Sequence, residues 1–159
     1  MEINTYIRIL TDTLVKKNKI LDELIEINKK QENILTSIEV DIDSFDETLN
    51  KKEKLITQLD QLDDGFEMIY ARVQDEVKRN AFEYKSDIVV MQELIKKIIE
   101  KSMNLQVKEK AIKSKLETYL MRQKQEIKNY NVSSQSVSNY YKNMMSEYQG
   151  ESYFLDKKK

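Results

Sequence analysis

The sequence predicts an all-α protein: an elongated antiparallel three-helix bundle, coiled-coil-like, with a C-terminal tail that contains a short amphipathic helix. Composition is the first reason. Charged residues make up 35% and apolar ones 40% of 159 positions, with no proline and only two glycines, which suits long helices and starves a chain of turns. The second is rhythm, because apolar side chains recur every three or four residues through most of the chain before residue 130, the spacing of helices that lie along one another. The third is that this rhythm meets two short breaks, which divide residues 1–130 into segments of matched length, as an up-down-up bundle needs.

The first helix is expected over about 2–37. Ile3, Ile7, Leu10, Leu14, Lys17, Leu21, Leu24, Asn28, Gln31 and Leu35 form its seam, and at 1.5 Å per residue it is roughly 50 Å long. Ile38 to Ser44 is a poor helix, because its β-branched residues lose rotamer freedom and its Asp and Ser compete for backbone amides. Ser44 with Glu47 three residues on reads as a capping box for a second helix over about 44–80.

That second helix carries the fullest seam: Ile42, Phe45, Leu49, Lys52, Ile56, Leu59, Asp63, Phe66, Tyr70, Val73 and Val77. Leu55, Leu62 and Ile69 add a second row seven apart, which broadens the face toward two neighbours and marks this as the middle helix. A chain that folds back near residue 40 sets Leu14 against Phe66, Leu21 against Leu59, Leu24 against Ile56, Lys17 against Asp63 and Asn28 against Lys52. Charges at seam positions are costly unless partnered, so the pairing of Lys17 with Asp63 favours the hairpin over one long rod. Gly65 falls inside the phase of the seam and reads as a weak point in a continuous helix.

A connection is expected between Arg79 and Asp87, with Ser86 or Asp87 as the next cap. The third helix then runs over about 87–130 on Ile88, Met91, Ile95, Ile98, Ser102, Leu105, Glu109, Ile112, Leu116 and Tyr119, thinning toward Tyr130. Residues 131–159 form a separate tail. Its serine-rich, uncharged link, 131–139, reads as flexible. A short amphipathic helix follows, with Val137, Tyr140, Tyr141, Met144, Met145 and Tyr148 on one side, and Tyr153, Phe154 and Leu155 come after Gly150. Methionine repacks easily and tyrosine joins apolar area to a polar tip. This segment is either a tail that docks back on the bundle or a surface that docks a partner.

Net charge is only −1 but unevenly spread. Asp41 to Glu67 holds nine acids against three lysines, and Lys96 to Lys128 holds ten basic residues against four acids. The expectation is internal complementarity between these two segments, with solvated outer faces. A nucleic-acid surface is not expected, because the basic residues alternate with the seam and only one of the ten is arginine. No uninterrupted apolar run is long enough for membrane insertion.

With no histidine and no cysteine, nucleophile–base pairs and most zinc sites are excluded. Two glycines 85 residues apart make no phosphate-cradling loop. Asp41-Ile42-Asp43 opens like a calcium loop, but Phe45, Asp46 and Lys52 stand where a ligand, the glycine and the bidentate acid belong. No enzyme, cofactor or metal is expected.

The run Lys51-Lys52-Glu53-Lys54-Leu55-Ile56-Thr57-Gln58-Leu59-Asp60, with Leu62-Asp63-Asp64-Gly65-Phe66 after it, resembles the FlgN-type flagellar export chaperones. So do Leu21 to Leu35 and the closing Tyr153-Phe154-Leu155-Asp156-Lys157-Lys158-Lys159. The resemblance implies a small cytoplasmic helical protein that binds hook-filament junction proteins before export and hands them to the flagellar type III export apparatus. It also implies that the C-terminal part grips the client's terminal helix. On this sequence that points to Tyr119, Tyr130, Val137, Tyr140, Tyr141, Met144, Met145, Tyr148, Tyr153, Phe154 and Leu155. The alternative is a structural coiled-coil protein, a spacer or homo-oligomer that uses its seam between chains and has no client.

Overall fold

A computed structural model describes residues 2–123 together with Asn139 and Tyr140. Three α-helices make up the fold: α1 (Ile3–Thr36), α2 (Ile42–Arg79) and α3 (Lys85–Arg122). They form the expected antiparallel bundle, and α2 passes through Gly65 without a break. The stretch from 124 to Tyr130, expected to prolong α3, lies outside the described residues, as do the serine-rich link as far as 138 and everything beyond Tyr140.

The first turn corrects the expected cap. Asp41, not Ser44, is the N-cap of α2, and its carboxylate accepts from the Ser44 N–H at 3.2 Å and from the Ser44 hydroxyl at 2.7 Å. A carboxylate beside the positive end of a helix is the stronger acceptor. Ser44 therefore serves as a donor inside the first turn. These hydrogen bonds hold the Asp41 carboxyl below its ordinary range. The start of α3 differs too: Tyr84 is its N-cap and makes no side-chain cap bond, while Asp87 sits in the first turn where it favours the helix dipole.

Which helix is central also departs from expectation. Backbone contacts closer than 8 Å join α1 to α2 and α1 to α3, whereas α2 and α3 have none with each other. So α1 is the shared neighbour, and α2 is a flank. The reason is visible in burial. The second apolar row of α2, Leu55, Leu62 and Ile69, is only half-buried, whereas α1 buries Asn18 beside its seam and hands the Asn18 amide to the Leu94 carbonyl of α3 at 3.3 Å. The fold-back pairings of α1 with α2 otherwise hold. Leu14, Leu21, Leu24, Leu59 and Phe66 share one core cluster with half-buried Ile56, and Lys17 is ion-paired to Asp63.

A polar layer divides the core in two. The larger cluster runs from Ile7 to Leu24 on α1, Leu59 to Val77 on α2 and Ile88 to Leu105 on α3. The smaller, distal one holds Phe45, Ile112, Leu116 and Leu120, with Ile34, Leu35, Ile42, Leu49 and Tyr119 against it. Between them lie the buried Asn28, Gln31, Thr48, Lys52 and Glu109. Lys52 is ion-paired to Glu109 and donates to Gln31 Oε1 at 3.0 Å, and Gln31 in turn donates to Thr48 Oγ1 at 2.9 Å. Lys52 thus does not meet Asn28, as its seam register suggests. A buried ammonium requires an opposite charge, which Glu109 supplies and a neutral amide does not. The side-chain amide of Asn28 is left without a hydrogen-bond partner, beside a cavity of about 180 Å³ lined also by Ile25, Glu32, Asn104 and Lys108.

Gly65 offers a direct stability test. Its position on α2 is exposed, and an added Cβ meets nothing within 4 Å. Gly65→Ala is expected to raise stability by about 1 kcal/mol, because alanine loses less backbone entropy in a helix. Urea unfolding followed by circular dichroism measures the change.

Candidate functional site

No Cα of α2 comes within 8 Å of one of α3, whereas both helices pack closely on α1, which makes the α2–α3 side, termed the groove below, the wider one. Side chains 100° apart around each helix decide which residues line it. On α2, Gln58, Gln61 and Leu62 border an outer crevice with Lys16, Lys19 and Ile20 of α1. The opposite flank of α2 therefore faces the groove and presents Ile56, Asp63 and Tyr70. On α3, Lys101 reaches Asp22 at 3.0 Å, Lys108 reaches Glu32 at 3.3 Å and Lys115 reaches Glu32 at 3.9 Å, all on α1. The opposite flank of α3, with Gln92, Ile99 and Gln106 seven apart, turns to the groove.

Three of these side chains, Ile56, Tyr70 and Ile99, are apolar or aromatic, and three, Asp63, Gln92 and Gln106, are polar. Ile56, Tyr70 and Ile99 are half-buried and pack on the core cluster, and Phe66 stacks with Tyr70 at a ring separation of 6.3 Å. Asp63 is one polar point, held by Lys17 from the floor. Gln92 is another: it is 1% exposed and its Nε2 has no hydrogen-bond partner. Apolar side chains set between polar ones along such a trough suit an amphipathic helix.

Of the residues expected to contact a partner, the structure describes two. Tyr140 is half-buried against the main core cluster, and its hydroxyl donates to Asp63 Oδ2 at 3.2 Å. It therefore belongs to the groove. Tyr119 does not, since it packs half-buried against the distal cluster around Phe45 and Leu116. Tyr130, Val137, Tyr141, Met144, Met145, Tyr148, Tyr153, Phe154 and Leu155 lie outside the described residues. Sequence reasoning missed Gln92, Ile99 and Gln106 as a lining row, although their heptad spacing beside the α3 seam carried the signal. It also assigned Asp63 to Lys17 alone.

The basic 96–128 segment, expected to complement the acidic 41–67 segment, finds acids on α1. Lys101, Lys108 and Lys115 pair with acids of α1, and Lys52 of α2 pairs with Glu109 of α3, with the opposite polarity. No helix among the described residues is long and apolar enough to cross a membrane. Comparison with protein-family models, curated proteins and solved structures returns no match.

Proposed function

We propose that the chain is a cytoplasmic export chaperone: it binds a hook-filament junction protein through a helix-in-groove contact and delivers it to the flagellar type III export apparatus. The α2–α3 groove is the observation that carries this reading. No Cα of α2 comes within 8 Å of one of α3, half-buried Ile56, Tyr70 and Ile99 pack on the core there, and Tyr140 of the C-terminal segment reaches Asp63. A client helix that cannot bury its apolar stripe before polymerisation lays it in this trough, and the C-terminal segment contributes to holding it. The action is burial alone, without a cofactor or turnover. A spacer that consumes its seam between chains is disfavoured, because Leu10, Leu14, Leu21, Leu24, Leu59, Ile95 and Ile98 are already covered within one chain.

Co-expression with hook-filament junction proteins tests the proposal. The expected result is a complex that co-purifies with the full chain and is lost on deletion of residues 132–159. An undiminished complex after the deletion refutes the role of the C-terminal segment, and failure of every junction protein to co-purify refutes the function.

A further inference from the structure

We infer that the outer face between α1 and α2, on the side away from the α2–α3 groove, docks a helix of a second protein whose apolar stripe is flanked by acidic residues. The face is distinct from the one proposed for the client, so the inference stands or falls apart from that function.

Two cavities lie along the α1–α2 seam. One, of about 410 Å³, is bordered by Lys16, Lys19 and Ile20 of α1 and by Gln58, Gln61 and Leu62 of α2. The other, of about 510 Å³, lies two turns further along α1 and is bordered by Ile27, Lys30 and Asn33 and by Thr48 and Lys51 of α2, with Glu26 and Lys29 also on its edge. Ile20 and Ile27 are seven residues apart on α1, as Leu55 and Leu62 are on α2, and all four are half-buried. Half-buried rows at heptad spacing on two adjacent helices make a seat for a further helix in a bundle. From Lys16 to Asn33 the seat runs for about 25 Å, or about five turns of an occupant.

Charge selects the occupant. The two cavities are lined by five lysines and one carboxylate, Glu26, which Lys29 already holds at 3.2 Å. Lys16, Lys19, Lys30 and Lys51 are exposed, and none of them is ion-paired. Asp12, Glu23 and Glu47 share these flanks by helical position but line neither cavity. A local excess of cations on a chain whose net charge is −1 draws in an acidic partner and repels a basic one. Other anionic partners fit less well. No aromatic side chain lines either cavity to stack a base, and Ile20, Ile27 and Leu62 are half-buried, whereas insertion into a bilayer needs apolar side chains that protrude.

The test titrates the full chain with two helical peptides of about 18 residues, the length of the seat. Both carry one leucine stripe. One has glutamates on either side of it and the other has glutamines, which match glutamate closely in helix propensity. Affinity is read from the methyl shifts of Ile20 and Ile27. The glutamate peptide is expected to bind there about tenfold more tightly at low salt, the effect of a few exposed ion pairs, and the preference to fade in about 1 M salt. Entry of either peptide into the α2–α3 groove moves Ile56 and Ile99 instead and is told apart on that basis.

Lys19→Glu with Lys51→Glu, one from each wall, is expected to abolish the preference. Both side chains are exposed, and helical circular dichroism identical to the parent chain establishes that the variant is folded. Equal affinities at Ile20 and Ile27, no shift at either, or a preference that survives the double variant overturns the inference. So do two results that give the seat to another occupant. One is movement of Ile20 and Ile27 as the chain alone is concentrated, which assigns the face to a second copy. The other is a single-stranded oligonucleotide that moves them at lower concentration than the glutamate peptide, which assigns it to nucleic acid.

Discussion

Glu109→Ala is expected to destabilise the bundle by about 3–5 kcal/mol in urea unfolding, because it strands a lysine in the core. Lys52 and Glu109 are 1% and 2% exposed, so neither regains water when the other is removed. The Gln31 carbonyl oxygen at 3.0 Å is the remaining acceptor for the Lys52 ammonium, and a neutral oxygen does not replace a carboxylate. Replacing both together, Lys52→Met with Glu109→Leu, is expected to restore most of the loss or exceed the parent, since two ions then no longer have to be desolvated. A double-mutant cycle separates the pair from the penalty of leaving one ion behind. Equal losses in the single and double variants would contradict this account of the layer.

The same pair sets a pH dependence. Burial holds the Lys52 ammonium below its ordinary value of 10.5, with the charge of Glu109 pulling it back up. The unfolded chain therefore holds this proton more tightly than the folded one, and the contribution of Lys52 to stability rises as pH climbs through the folded value toward about 10.5. The stability difference between the parent and the double variant, measured from neutral pH upward, should move in that direction. A difference that moves the other way means that Glu109 outweighs desolvation.

Phe45→Ala is expected to cost about 3–5 kcal/mol, with the damage confined to one end of the molecule. Phe45 is 1% exposed and shares its cluster with Ile112, Leu116 and Leu120, on the far side of the polar layer from the main core. Weakly coupled ends open separately. Amide hydrogen exchange should therefore quicken around Ile34, Leu49 and Leu116, and stay slow around Leu14, Leu59 and Ile98. Uniform loss of protection would mean that the polar layer joins the two ends instead of separating them.

Much of this fold is legible in the residues. The seams of α1, α2 and α3 fix three helices, and Lys17 with Asp63 fixes the fold-back, because a charge at a seam position has few places to go. Periodicity states which face of a helix is apolar but not which other helix it meets. For that reason the broad face of α2 suggested a central helix, when Asn18 and the acids of α1 make α1 the shared neighbour. Asp41 was overlooked as a cap because Ser44 and Glu47 offered a familiar pattern one turn later. Lys52 was paired by register, yet its long side chain reaches Glu109 on the third helix. In the candidate site, Tyr140 was legible through its amphipathic surroundings. Gln92 was not, since a polar residue beside a seam reads as solvated until the spacing of α2 from α3 is known.

The central claim is that an amphipathic helix enters between α2 and α3. Isoleucine methyl NMR of the 19.0 kDa chain, titrated with the terminal helix of a hook-filament junction protein, tests it most directly. Shifts at Ile56 and Ile99, with Ile20 in the outer crevice unmoved, are the predicted result. Shifts at Ile20 with Ile56 and Ile99 unmoved, or none at saturating peptide, would contradict it.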